Sequence, residues 1–313
     1  MAKIEPQLDK YGTLARASFL ADYLEVVALR DKRVKLSSLR DLVAETYTRV
    51  APILRPGGED TVDDQGNPEA PWTPADLADE AWTSILERAD SLGDKYPFTI
   101  HRQVLKRAEG LNPLDSAYVS LLAITMSHAF KISTPGSVEH LLEEVVGDSL
   151  ENVGLRVGRV GPLSRANGYD FVRTMNALGQ ELSIPINPNA TTRRQNANDE
   201  DVDIVAHLDW GVPRHGRWLF IGQVTCAVSD SWRYKAQEPV TNDWQKFFGE
   251  VVEPVPFLAI PHHADHETFK YVTSIEVNIL DRTRLVQNLK TNSPAQREVV
   301  EAFMANDYVS FKV

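Results

Sequence analysis

Two polar residues stand inside runs that are otherwise apolar, and their types suit metal chemistry. In DVDIVAHL, residues 201–208, Asp203 lies between Val202 and Ile204, so strand alternation sends its carboxylate to one face and those neighbours to the other. A carboxylate on an apolar strand costs free energy unless a cation or hydrogen bonds compensate it. In RWLFIGQVTC, residues 217–226, Gln223 follows Gly222, whose missing side chain leaves room for close backbone approach. Glu139 lies near the start of an amphipathic run, SVEHLLEEVVGDSL, with Leu142 and Val146 on its apolar side and Glu143 one turn on. Together Glu139, Asp203 and Gln223 supply the oxygen ligands that a hard divalent cation, Mg²⁺ or Mn²⁺, requires. Such a metal polarises a phosphodiester oxygen and lowers the pKa of an attacking water. Lys235 is the nearest downstream lysine, three residues after Trp232 and on the same helical face, and is the candidate for steadying charge.

Each of these residues also has an ordinary reading. Asp203 suits a strand-edge cap or a partner for Arg193 or Arg194, Gln223 a satisfied core amide, and Glu139 a first-turn acid near a helix N-terminus. Lys235 suits a solvated helix face, and Trp232 a core anchor. The cluster PHHADHE offers His262, His263, His266 and Glu267 for zinc, but lacks the helical HExxH arrangement. Cys226 follows an apolar strand with no adjacent histidine, as an inert buried thiol does. No Walker loop, GxGxxG or GxSxG element is present, which disfavours nucleotide hydrolysis, Rossmann redox chemistry and α/β-hydrolase chemistry.

Positioning such a site takes strands with helices around them. Residues 13–50 read as two helices, and apolar spacing returns at 75–92 and 115–130, so the first 130 residues are expected to be all-helical. Between them, residues 55–74 are rich in Pro, Gly and acids and read as a loop. From Ser137 the expected order is helix, a strand at 153–160, an inserted helix at 168–182, strands at 201–208 and 217–226, helix broken near Pro239, and a strand at 255–261. SIEVNILD and a C-terminal helix from Arg284 to Met304 follow. Residues 185–200 form a polar connection, and DWGVPRHG joins the middle two strands as a hairpin.

Composition narrows the setting. The chain of 313 residues carries 33 Lys+Arg against 44 Asp+Glu, a formal charge of −11, and neither half is a basic arm. Sequence-blind binding to nucleic acid is therefore disfavoured, and any phosphate contact must be local, with Arg193, Arg194, Arg214 and Arg217 as candidates. One cysteine can neither close an internal disulfide nor build a thiolate zinc site. The opening MAKIEPQLDKYG lacks the layout of a secretory signal, and no apolar run reaches the roughly 18 residues of a membrane span. A cytoplasmic protein without membrane contact is expected.

The strand order, the Asp of NDEDVDIVAH and the Gln of GQVTCAVSDSW, with Lys235 three residues beyond the final Trp, resemble the PD-(D/E)XK, or restriction-endonuclease-like, nuclease superfamily. More narrowly, the chain is similar to bacterial proteins with a KDGGxDxVAW-like strand followed by GQCxTGxxW and a lysine. LGDKYPFTI and YVSLLAI look like the helical N-terminal region of those proteins, so the resemblance spans most of residues 90–285. It implies an α/β fold with a restriction-endonuclease-like core, a mixed central sheet flanked by helices at 131–313, behind a helical region at 1–130. It also implies a Mg²⁺-dependent endonuclease acting on DNA, or on RNA, in bacterial defence; the net negative charge adds the expectation of a partner protein or a second copy that delivers the substrate. Asp203 matches the second-strand acid, Gln223 the third-strand acid or amide, and Glu139 the first-helix acid. Thr225 stands where the family has its lysine, and Lys235 is then a lysine migrated onto the following helix. The alternative is a catalytically inactive nuclease-fold subunit that docks DNA or protein.

Overall fold

The structure, a computed structural model, describes residues 7–13, 15–47, 73–168, 170–191, 202–212, 214 and 216–306. Arg193 and Arg194, and most of the loop expected at 55–74, lie outside the described residues. Among those described, no helix is long and apolar enough to cross a membrane.

The N-terminal part is built on α1 (Arg16–Asp31), α2 (Leu36–Tyr47), α3 (Pro74–Leu92) and α4 (Ala117–Phe130). Helix α3 opens with a capping box in which Thr73 and Asp76 exchange hydrogen bonds, and Pro74 sits at its first position. Ser116 caps α4 by accepting from the Val119 N–H. The region is not all-helical as expected. Strands β1 (Arg33–Lys35), β2 (Phe98–His101) and β3 (Val104–Arg107) form an antiparallel sheet in the order β1-β3-β2. The β2–β3 turn holds Arg102 and Gln103 at φ of 47° and 60°, the left-handed pair that a two-residue hairpin needs, without the Gly or Asn that normally marks it.

The second part is mixed α/β. Helix α5 (Val138–Asn152), capped by Ser137, leads into β4 (Leu155–Arg159), and three helices follow: α6 (Val160–Ala166), α7 (Phe171–Leu182) and α8 (Pro188–Thr191). Next come β5 (Ile204–Leu208), β6 (Leu219–Val224), α9 (Trp232–Ala236), α10 (Thr241–Phe248), β7 (Val255–Ala259), α11 (His266–Thr273) and β8 (Asn278–Leu280). The C-terminal helix expected over 284–304 is two, α12 (Arg282–Asn288) and α13 (Pro294–Ala305). A new capping box at Ser293 and Gln296, with Pro294 behind it, restarts the chain.

These strands form one sheet in the order β4-β5-β6-β7-β8, antiparallel from β4 to β6 and parallel from β6 to β8. Alternation divides its faces. Ile204 and Ala206 join the large core with α4 and α5, while Val205, Leu219 and Ile221 pack with Phe171, Met175 and Leu178 of α7 and Trp244 and Phe247 of α10. The sheet is thus sandwiched between helices.

The large core runs from Tyr11 to Phe303 and includes residues on both sides of position 130. At its centre lies a charged group with no solvent exposure: Asp22 and Glu25 of α1, Arg88 of α3 and Arg282 of α12. The Arg282 guanidinium donates two bonds of 2.7 Å to the two oxygens of Asp22, and Arg88 Nη1 lies 2.6 Å from Asp22 and 3.0 Å from Glu25. Tyr11 donates to Asp22, and Tyr96 and Tyr118 donate to Glu25. Fork geometry and saturated oxygens let these charges leave water.

Candidate functional site

The backbones of Asp203 and Gln223 are adjacent at the C-terminal end of β6. The residue does not continue β5 as expected; it occupies a bend one position before it. The Asp203 N–H donates to the Gly222 carbonyl at 2.9 Å, although Gly222 already faces Ile204 in the ladder, so two residues of one strand oppose one of the next. That is a bulge, a device that re-aims a side chain at a strand end. Here it turns the Asp203 carboxylate along the edge of β6, where Oδ2 accepts the Val224 N–H at 2.7 Å. Asp203 therefore bonds to the residues immediately before and after Gln223. On the other side Gln223 lies level with Leu258 of β7, and its side chain is almost fully buried.

Gly222 leaves space as the sequence reading expects, but the space is filled from within. A β-carbon there would overlap the ring of Phe257 on the neighbouring strand. The close approach at this position is internal packing.

The other two candidates have partners of their own. Glu139 lies in the first turn of α5, on the layer opposite the face that Gln223 shares with Ile221. Its carboxylate accepts from the Ser137 hydroxyl at 2.7 Å and lies 3.5 Å from His128 Nε2. Burial alone would raise this carboxyl, but the Ser137 bond, its own backbone N–H and the imidazoles of His128 and His140 bring it below its ordinary value. Lys235 lies on α9, which packs against β6 and β7, and its ammonium donates to both oxygens of Glu238 at 2.7 and 2.8 Å. Thr225, where the resemblance would place a lysine, accepts the Ala227 N–H at 3.0 Å. Among the described residues, no group of three or more His, Cys, Asp or Glu is arranged to hold a metal ion.

The remaining residues take their ordinary roles. Trp232 is fully buried, and its indole N–H donates to the Ala227 carbonyl. Burial raises the Cys226 thiol far above its usual value, and the charge of Glu139 adds to the effect, so the thiol is inert. His262 is enclosed between the rings of Tyr11 and Trp232. His263 Nδ1 pairs with the Thr283 hydroxyl at 2.9 Å, while His266 is exposed at the start of α11, so the histidines do not converge as zinc ligands. Arg214 is exposed, but Arg217 is buried against Glu250 and is not available to a phosphate.

Two features went unseen in the sequence. One is the buried Asp22–Glu25–Arg88–Arg282 group, signalled only by two acids three apart inside the apolar run that became α1. The other is an exposed pair, Trp210 and Trp218, at the hairpin joining β5 to β6; two tryptophans flanking a Gly- and Arg-containing turn were its signal. No family model, curated protein or solved structure matches the chain.

Proposed function

We propose that the chain is a metal-dependent nuclease with a restriction-endonuclease-like core, Asp203 and Gln223 forming its metal end. The observation that carries this reading is the bulge that bends the Asp203 carboxylate around the backbone of Gln223 at the end of a central strand. The sheet adds support: it is mixed, and a helix, three strands, helices and a further strand follow in the order the resemblance implies.

The donor set fits the ion. A carboxylate and an amide oxygen are hard ligands, and Mg²⁺ is commonly held by only one or two protein carboxylates while keeping several waters. When bound, the ion supplies charge to a phosphodiester oxygen and lowers the pKa of a water. The chain's own part is to fix the two donors: the Val224 N–H holds one Asp203 oxygen, and the ladder with β7 holds the backbone of Gln223 on one side.

A second reading keeps the fold and omits cutting. The Glu238 carboxylate that holds Lys235 and the threonine in place of the family lysine favour it. Incubating the purified chain with plasmid or single-stranded DNA and Mg²⁺ or Mn²⁺, beside Asp203→Ala, separates the two. Cutting by the parent and none by the variant is expected; equal cutting by both rejects the assignment, and cutting by neither supports the docking reading.

A further inference from the structure

The small antiparallel sheet of the N-terminal region carries a charge opposite to that of the chain. Residues 32–40 and 98–107 hold seven Lys and Arg and no Asp or Glu, in a chain whose formal charge is −11. Two of the seven are engaged: Arg40 pairs with Asp79, and Arg107 donates to the Leu29 carbonyl near the end of α1. The other five, Lys32, Arg33, Lys35, Arg102 and Lys106, are exposed and enter no ion pair among the described residues. The nearest acids along the chain, Asp31, Asp41 and Glu109, belong to α1, α2 and the loop after β3, not to the sheet.

Strand register puts the central cations on one face. Arg33 of β1 lies opposite Lys106 of β3, which lies opposite Thr99 of β2, and Lys35, Val104 and His101 form the next row. Side chains directly opposite each other point to the same side of a sheet, and Arg33, Lys35, Thr99, His101 and Lys106 are all exposed. Between the rows, Val34, Leu105 and Ile100 point the other way and pack with the large core. Alternate residues of a strand are about 6.8 Å apart and neighbouring strands about 4.8 Å, so the charges form a regular grid. Arg102 adds a cation at the hairpin tip, at a φ of 47° where glycine or asparagine would sit with less strain.

This arrangement costs stability by itself. Like charges directly opposite in a sheet repel, and Arg33 and Lys106 are such a pair. A face kept for solvation alone would mix signs, in a chain with 44 acidic and 33 basic residues. A repeating anion offsets the repulsion, and the rest of the face says which one. None of the exposed large hydrophobic side chains among the described residues is on this sheet. It therefore offers no ring to stack on a base, nothing to insert among acyl chains, and no aromatic anchor for a protein interface. What it offers is closely spaced charge, which a phosphate backbone matches; a duplex presents one charge per about 1.7 Å of axis, twice the density of a single strand. The overall charge of the chain opposes such binding, and this face is the local exception.

We infer that the outer face of β1, β3 and β2 is a docking surface for the phosphate backbone of duplex nucleic acid, with Arg33, Lys35 and Lys106 at its centre. The choice of polymer rests on the nuclease reading above, to which the face adds the place where the duplex is held; backbone contacts make that hold blind to sequence. Fluorescence anisotropy of a labelled short duplex, titrated with the full chain in EDTA at several salt concentrations, measures it without cutting. Arg33→Ala, Lys35→Ala and Lys106→Thr each lower the salt dependence by about one ion, and the triple variant lowers it by about three. Two duplexes of unrelated sequence bind alike, and the single strand binds more weakly. Lys290→Ala, which removes an exposed lysine away from the sheet, binds as the parent does. Lys106→Thr melts no lower than the parent, because it relieves the repulsion from Arg33, so its loss of binding is not a loss of fold. No binding by the parent at low salt, equal affinity of the parent and the triple variant, an equal loss in Lys290→Ala, or tighter binding of the single strand overturns the surface. So does binding to phosphatidylserine vesicles, dependent on the same residues, by a chain that ignores the duplex; that result assigns the face to a membrane. Duplex binding that depends on the face in a chain that never cuts removes the nuclease reading alone. Cutting and duplex affinity that are the same in the parent and the triple variant remove the surface alone.

Discussion

Asp203 has two duties that one substitution can separate. Its Oδ2 satisfies a backbone donor, and under the proposed function its charge makes it the better of the two metal ligands. Asp203→Asn keeps an acceptor for the Val224 N–H and removes the charge, so stability should stay within about 1 kcal/mol while Mn²⁺ binding is lost and cutting falls roughly 100-fold or more. Asp203→Ala also strands the N–H and should cost a further ~1–3 kcal/mol in urea denaturation. Equal losses of stability in both variants would make the residue a strand cap only. His262 carries the clearest pH signature. Burial holds its imidazole down to about 3 from an ordinary 6.5; Asp22 opposes this, and Arg282 and His128 add to it. The unfolded chain takes up a proton near pH 6.5 that the folded chain refuses until about 3. The contribution is therefore complete above pH 6.5 and declines on acidification, at about 1.4 kcal/mol per pH unit for one proton. His263 is shifted the same way by its burial, whereas Glu25, raised by burial, acts oppositely, so the test is a difference. Urea denaturation of His262→Phe between pH 7 and about 4.5 should show a slope one proton shallower than the parent's.

At the scale of elements, legibility in the sequence followed length and periodicity. The strands at 201–208 and 217–226 and the helix at 137–150 could be read because four or more apolar residues recur at fixed spacing. The N-terminal sheet could not: β1 to β3 are three or four residues long, and their hairpin turns on Arg102 and Gln103 rather than on glycine. The bulge at Asp203 was hidden for a related reason. Alternation assigns a residue to a face, but a backbone bond to Gly222 that the regular ladder does not contain decides where its carboxylate goes. Gly222 shows the converse, a residue read as room for a ligand whose room belongs to Phe257. Gly222→Ala should destabilise the sheet by about 1–3 kcal/mol through overpacking, with the denaturant dependence unchanged. Adding Phe257→Leu should recover much of that loss; no recovery would mean that the glycine is required by the backbone and not by the ring.

At the scale of the molecule, what joins the N-terminal helices to the sheet was invisible, because Asp22 and Arg282 are 260 residues apart. Apolar patterning identifies surfaces that will be buried, but not which opposite charges will be buried together. Distance alone does not give the strength of such pairs. Arg40 and Asp79 approach to 2.6 Å with side chains about half exposed, and Arg88 and Asp22 approach to the same 2.6 Å with none. In water the first pair gains little over its two solvated ions, and Arg40→Met should change stability by less than about 1 kcal/mol. The second pair has no solvent to return to. Arg88→Met leaves Asp22 with Arg282 and the Tyr11 hydroxyl and removes a salt-bridge partner of Glu25, and should cost about 3–5 kcal/mol. Arg282→Met should cost as much, because it takes the bidentate partner from Asp22 and one of the two donors from the Pro261 carbonyl beside the sheet. Thermal unfolding followed by tryptophan fluorescence and by circular dichroism tests this: the parent should melt in one coincident transition, and the Arg282 variant earlier. If the two arginine variants at the centre behave like Arg40→Met, the buried group is not what holds α1, α3 and α12 together, and the apolar core that surrounds it is sufficient.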